Sequence, residues 1–309
     1  MFFKNMTIAA QQVLVLYLIV AVGFIADRLH VFKQETAKKS NDLLFYIITP
    51  VVIVRSFLNM EFSKETAGSL VVAFFCMALT ITVGILLALP FFNRDKNSAV
   101  FKYAVSYGNM GYMALPLCDA LLGSEGVFYC SAGVVAFNII SFTHGVWLMQ
   151  KDGEEKKSFD LKKLFFNPGV ISMLIGLPLF VFNVKLPTVC MSAIDHISNL
   201  NTPLAMLFLG TYIANTDLST VFKEKQNYLA AALKLLIMPL AMFGIFKLFG
   251  LGGTLLTALI ISASAPSANN TVMFSAKYGK DIGTASKEVA FCSLFSVVTI
   301  PVMIAISYV

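Results

Sequence analysis

The residues best suited to chemistry in this chain are three carboxamides, Asn109 and the adjacent pair Asn269 and Asn270, each set inside a long apolar stretch. An amide donates two N–H bonds and accepts through its carbonyl. It can therefore hold a carboxylate or a hydroxyl at far lower cost inside a membrane than an arginine can. Helix-breaking residues surround all three. Tyr107-Gly108-Asn109-Met110-Gly111-Tyr112-Met113-Ala114-Leu115-Pro116 leads to Gly123-Ser124-Glu125-Gly126, and Ser262-Ala263-Ser264-Ala265-Pro266-Ser267-Ala268-Asn269-Asn270 leads to Gly279-Lys280-Asp281-Ile282-Gly283. Proline among Gly, Ser and Asn interrupts a helix and frees backbone groups that lipid cannot satisfy, so both breaks are expected to line a protein cavity. After each break a half-helix begins, with its free N–H groups and positive dipole end directed into that cavity from opposite sides. Such a cavity favours an anion. Two plainer uses stay open at this level: a proline alone can be a simple kink, and an amide can serve only the freed backbone.

The elements that must position these residues are membrane spans. Of 309 residues, 58% are apolar and 13% charged, and the mean hydropathy is +0.79, whereas soluble domains carry about 25% charge. Disorder, collagen and a disulfide scaffold are excluded by the same figures. Apolar segments near 20 residues in length recur at residues 7–26, 42–58, 67–89, 101–122 and 127–149, then at 169–182, 189–214, 228–249, 254–276 and 285–308. These ten segments predict an all-α polytopic membrane protein. The first follows Lys4 but lacks a small-x-small cleavage site, so it reads as a span and not a signal peptide. In or beside the loops after the odd-numbered spans stand 17 of the 23 Lys and Arg, against 4 at the N-terminus and even loops, which predicts cytoplasmic odd loops and extracytoplasmic termini. The net charge of +6 thus reports orientation and not nucleic-acid binding.

The two halves resemble each other. Thr49-Pro50 recurs as Thr202-Pro203, Glu61-Phe62-Ser63 as Asp217-Leu218-Ser219, and the two breaks correspond, at separations of 150 to 156 residues. Five spans per half reverse the second half relative to the first. The expectation is a 5+5 inverted repeat: residues 1–149, a cytoplasmic loop at 150–167, and residues 168–309, with broken helices 4 and 9.

The chain holds no GxSxG, HExxH or Walker loop, and no paired carboxylates within one span, which excludes an ATP-driven pump and argues against an enzyme. Its five cysteines lack metal-site spacing and read as small core residues, so no metal or cofactor is expected.

Asn109 to Pro116 (NMGYMALP) after Tyr107-Gly108, the Ala265 to Asn270 run (APSANN), Ala276-Lys277-Tyr278-Gly279 and the Lys234 to Pro239 run (KLLIMP) together resemble the auxin efflux carrier family, over the whole chain. The resemblance implies a secondary carrier of organic anions in the plasma membrane, with helices 4 and 9 crossing at Pro116 and Pro266. It also implies an elevator arrangement, in which helices 1, 2, 6 and 7 form a scaffold, often dimeric, and helices 3–5 and 8–10 form the moving bundle. Asn109 matches the family asparagine that contacts substrate carboxylate. The expected binding set is Asn109, Met110, Gly111, Pro116, Pro266, Ser267, Asn269 and Asn270. The Asn269-Asn270 pair looks like the bacterial branch, associated with malate, malonate and similar acids.

Other polar residues are secondary. Asp119, three residues after Pro116, is either a proton-coupling group or a solvated vestibule residue, and Asn138 is expected as an amide behind the site. Arg55 and Lys234 lie inside spans, where snorkelling is expected, and His144 and Asp195-His196 are expected at interfaces or helix ends. The Lys156-Lys157 and Lys162-Lys163 clusters are expected to face lipid on the cytoplasmic side. A sodium- or proton-coupled exchanger of similar architecture is the alternative, against which stand amides where acids would be needed. A receptor would need a larger soluble domain than a loop of about 18 residues.

Overall fold

A computed structural model describes residues 2–93, 95–150, 167–216 and 218–308. The fold is all-helical, with 82% of the chain in helices and no strands among the described residues. Among them, the stretches Lys64–Ala88, Met110–Gln150, Lys225–Leu248 and Ile282–Ser307 are each long and apolar enough to cross a membrane. Most of the predicted loop at 150–167, with both lysine clusters, and the Asp217 of the second repeat signature lie outside the described residues.

Prolines and caps explain most of the segmentation. Helix α1 (Phe2–Arg28) is followed by the polar α2 (Gln34–Leu43), which runs through a wide π turn at Leu44–Ile48 into α3 (Thr49–Leu58). The same kind of turn precedes Pro116 (Met110–Ala114) and Pro239 (Leu233–Ile237). Proline lacks an N–H and its ring collides with the carbonyl four residues back, so the helix widens by one residue just ahead of it. Helix α4 (Lys64–Ala88) starts where the Ser63 hydroxyl accepts from Thr66 N at 2.9 Å. Next come α5 (Ser98–Ser106), α6 (Leu115–Ile140) and α7 (Val146–Gln150). Within α6, Gly123 has φ +63°, and the Cys118 and Cys130 thiols on its two arms lie within hydrogen-bond reach. The chain therefore turns back at Gly123, and α6 is two antiparallel arms.

The second half contains α8 (Pro168–Val181), α9 (Thr188–Ser198), α10 (Asn201–Ala214) and the short α11 (Leu218–Val221). It continues with α12 (Lys225–Ala232), α13 (Met238–Leu248), α14 (Gly253–Ser264), α15 (Asn270–Lys277) and α16 (Ile282–Ser307). The apolar stretch 189–214 is thus divided at Asn199 and Leu200 into α9 and α10.

Packing joins the first half of the chain to the second. Thr49 Oγ1 donates to Asn201 Oδ1 at 3.1 Å, next to the matching Thr-Pro steps of α3 and α10. Helix α1 lies against α10 and α16, α3 against α8, and α6 against α4 and α14. The α1–α10 approach is close enough to need glycine: a β-carbon at Gly210 would fall 2.1 Å from the Val20 carbonyl oxygen, and one at Gly23 2.3 Å from that of Leu207.

Candidate functional site

The breaks predicted from Gly, Asn and Pro meet in the interior. Helix α5 ends at Ser106 and α14 at Ser264, and the extended segments that follow cross as an isolated antiparallel bridge between Gly108 and Ser267. Two backbone bonds stitch it: Asn109 N donates to Pro266 O at 2.7 Å, and Ala268 N donates to Tyr107 O at 2.9 Å. Each interrupted helix thus satisfies part of its freed backbone with the other, which is the requirement a break at membrane depth must meet. Pro266 is at this crossing. Pro116 is not: it lies buried in the first turn of α6, eight residues beyond Gly108, because the interruption falls at Tyr107–Asn109 and the proline only widens the turn behind it. The expectation of a crossing at both prolines is corrected accordingly.

From the crossing, the backbone restarts as helix twice, at Met110 and at Asn270. Asn109 is 4% exposed, and its Oδ1 accepts from Tyr112 N at 3.2 Å, which caps the new turn and leaves the Nδ2 amine to donate elsewhere. Asn269 Oδ1 is buried with no hydrogen-bond partner, and the Asn270 side chain reaches the Tyr103 hydroxyl. Met110 is buried, while a β-carbon at Gly111 would meet nothing within 4 Å. Ser267, predicted as a binding residue, donates from Oγ to Glu288 Oε1 at 2.9 Å.

That carboxylate was not among the sequence candidates, and neither was its neighbour. Glu288 on α16 is completely buried; Cys292 Sγ also donates to Oε1, at 3.1 Å, and Oε2 has no hydrogen-bond partner. Lys234, expected to snorkel, is instead 1% exposed, because the π turn at Leu233–Ile237 packs it against the crossover. A β-carbon at Gly108 would lie 3.0 Å from its Nζ, which places the ammonium against the crossing segment. The charges of Lys234 and Glu288 act on each other, yet they are not among the described ion pairs within 4.0 Å. The sequence did carry a signal for Glu288. Ala285, Cys292 and Ser296 stand at helical spacing on one stripe of α16, all fully buried, and Glu288 falls on that stripe.

Most other candidates lie away from the crossing. Asn138 exchanges bonds with Asn167, at 3.0 Å and 3.3 Å, and Asn167 caps α8, so Asn138 supports a helix start and not the amides. Arg55 does not simply snorkel: its guanidinium bonds to Asp195 on α9 and approaches Asp119 on α6 at 3.8 Å. His144 Nδ1 meets the Tyr107 hydroxyl at 2.9 Å, an interface role as expected.

Comparison with known proteins shows the family. A family described as membrane transport protein matches residues 8–304. An uncharacterized transporter of Methanocaldococcus jannaschii is 24% identical over 93% of this chain and 95% of its own. A Rhizobium meliloti protein named “Putative malonate transporter” is 23% identical over 91% of this chain and 90% of its own. Auxin efflux carrier component 1 of Arabidopsis thaliana is 27% identical over 44% of this chain and 22% of its own. With nearly its full length matched, this chain belongs to the membrane transport proteins of the auxin efflux carrier family, a family of transporters and not of enzymes.

Proposed function

We propose that the protein is a secondary carrier of small organic anions, with carboxylates such as malate or malonate as the substrate class. The observation that carries this reading is the convergence of Asn109, Asn269 and two helix restarts on one buried crossing, with the Lys234 ammonium beside it. A carboxylate there would accept from Asn109 Nδ2 and from the Gly111 and Asn270 N–H groups at the start of the new helix turns, the N–H groups of Met110, Tyr112 and Thr271 being already bonded. The malonate name of the Rhizobium relative supports the same class.

In this reading ten spans form two inverted halves in the plasma membrane, with both termini extracytoplasmic. Helices 1, 2, 6 and 7 are a dimeric scaffold, and helices 3–5 and 8–10 move against it as an elevator. The contacts between corresponding elements, Thr49 of α3 with Asn201 of α10 and the Gly108 break with the Ser267 break, support the repeat.

The test is uptake of labelled malonate and malate into proteoliposomes. Saturable uptake that Asn109→Ala weakens is the expected result; no uptake of any acid would reject the carrier. Glu288 beside Ser267 favours a second reading, a sodium- or proton-coupled exchanger, since a buried carboxylate suits a cation. Lys234 opposes the sodium version, because its ammonium would repel a metal ion at the same place. Uptake driven by a sodium gradient would favour the exchanger.

A further inference from the structure

Lys234 and Glu288 leave an imbalance that the anion-carrier reading alone does not use. At the crossover one buried ammonium stands near one buried carboxylate, a pair that is neutral overall. A substrate carboxylate arriving at Asn109 and the Ser267–Asn270 turn adds a second anion beside the same cation, while the other carboxylate of a dicarboxylate such as malonate is held by N–H groups at the helix restarts. Two carboxylates cannot both stay ionised against one ammonium in a dry site, because burying uncompensated charge is far costlier than binding a proton. Glu288 is placed to take that proton. Its Oε1 already accepts from Ser267 and Cys292, while Oε2 is buried and unpartnered. Ser267 is itself a residue of the crossing strand, bridged to Gly108, so a change at Glu288 is felt at the backbone that holds the amides.

We propose that Glu288 binds one proton when the crossover binds one substrate carboxylate, so that anion and proton cross together. The proton comes from solvent on the side of loading, joins Glu288 Oε2, and leaves on the other side with the substrate. No covalent bond of the substrate changes. The titratable groups whose charge reaches Glu288 are Lys234 on the turn before α13, Cys292 on α16 itself and Tyr212 on α10, and of these Lys234 alone is cationic. Asp119 is not needed: it is paired toward Arg55, outside this group.

This inference rests on the anion-carrier reading, and one experiment separates their failures. Purified full-length protein is titrated calorimetrically with malonate, malate and succinate at pH 7.5, in two buffers of different ionisation enthalpy. The expected result is uptake of about one proton per acid bound, with Kd weakening about tenfold per unit rise in pH above 7.5. Glu288→Gln, which mimics the protonated carboxyl, should still bind, take up no proton and show a flat Kd against pH. The proton count on the parent stands even if that variant does not fold. Acid binding without proton uptake overturns the coupling and leaves the carrier intact. Uptake that persists in Glu288→Gln overturns the residue assignment. If none of the acids binds to the parent, the carrier reading falls and the coupling with it.

Discussion

Among the described residues, Arg55 faces carboxylates on two other helices and Lys234 faces one, and the two places differ chiefly in water. At the cluster joining α3, α9 and α6, Arg55 faces Asp195 and Asp119, with side chains 22%, 43% and 21% exposed. At the crossover, Lys234 and Glu288 are 1% and 0% exposed. In the first cluster water screens the imbalance of two carboxylates against one guanidinium, and the arrangement needs nothing more. In the second, no solvent shares the charge, so each charge there depends on the other. The inventory of groups is nearly the same; burial decides which of them can couple to a ligand.

The comparison breaks first at Lys234. Lys234→Met strands Glu288 without its counter-charge and should cost about 3 kcal/mol in stability, the low end of the range for a buried pair broken from one side, since the two charges are not in direct contact. Thermal or denaturant unfolding above neutral pH measures it. Adding Glu288→Gln should recover most of the loss, and lowering the pH should shrink it, since a protonated carboxyl needs no counter-ion. A Lys234→Met protein as stable as the parent at high pH would show that the two charges are independent.

A smaller effect is expected one step along the crossing, at Asn109. Asn109→Ala removes both the cap on Tyr112 N and the amide N–H group that would meet a substrate carboxylate. Binding isotherms should show carboxylate affinity weaker by about 1 to 3 kcal/mol, the cost of a buried partner left unpaired. Unchanged affinity for every acid would move the site away from the first break.

The wet cluster should respond least. Arg55→Gln or Asp119→Asn is expected to change stability by about 0.2 to 1 kcal/mol, as partly exposed pairs do, and the difference should fade as salt is raised. Proton uptake on acid binding should be unchanged in Asp119→Asn. A loss of coupling there, with Glu288→Gln silent, would reverse the roles assigned to the two regions.

The same contrast explains what was legible in the sequence. Apolar length marked a polytopic membrane protein with several spanning helices, and Gly, Asn and Pro inside it marked both breaks, because such residues are costly in lipid wherever they fall. The crossing itself, Gly108 on Ser267, was reachable only as an analogy between halves, and Pro116 misled because a proline widens a turn as readily as it ends a helix. Lys234 and Glu288 were lost for a different reason. Each is a lone charge within about two turns of a helix end, where snorkelling and burial look alike one residue at a time. Their neighbours decide: the small buried stripe of α16 and the wide turn ahead of Pro239 turn both side chains inward. Asn138 failed in the opposite direction, since its partner Asn167 lies 29 residues away on another helix.

Outside the apolar spans, a single carboxylate offers the mildest test of how far water softens such effects. Asp281 caps α16: its Oδ1 accepts from Thr284 N at 3.1 Å and its Oδ2 from the Thr284 hydroxyl at 2.9 Å. The Thr284 backbone N–H, followed by its hydroxyl, the Gly283 N–H and the nearby Lys96, holds the carboxyl below its ordinary 3.8. A depressed folded value means the unfolded chain binds the proton more readily, so the cap's contribution is present above pH 3.8 and is lost as pH falls through the lower folded value. Asp281→Ala should therefore cost about 1 kcal/mol at neutral pH, the usual worth of an N-cap, and little in strong acid. Hydrogen exchange in the first turn of α16, followed from pH 7 downward, would read both. Because Glu288 lies less than two turns further along the same helix, the measurement also asks whether loosening the wet end reaches the dry one. A fraying confined to Thr284 and Ala285 would keep the two regions independent, whereas lost protection at Glu288 would join them.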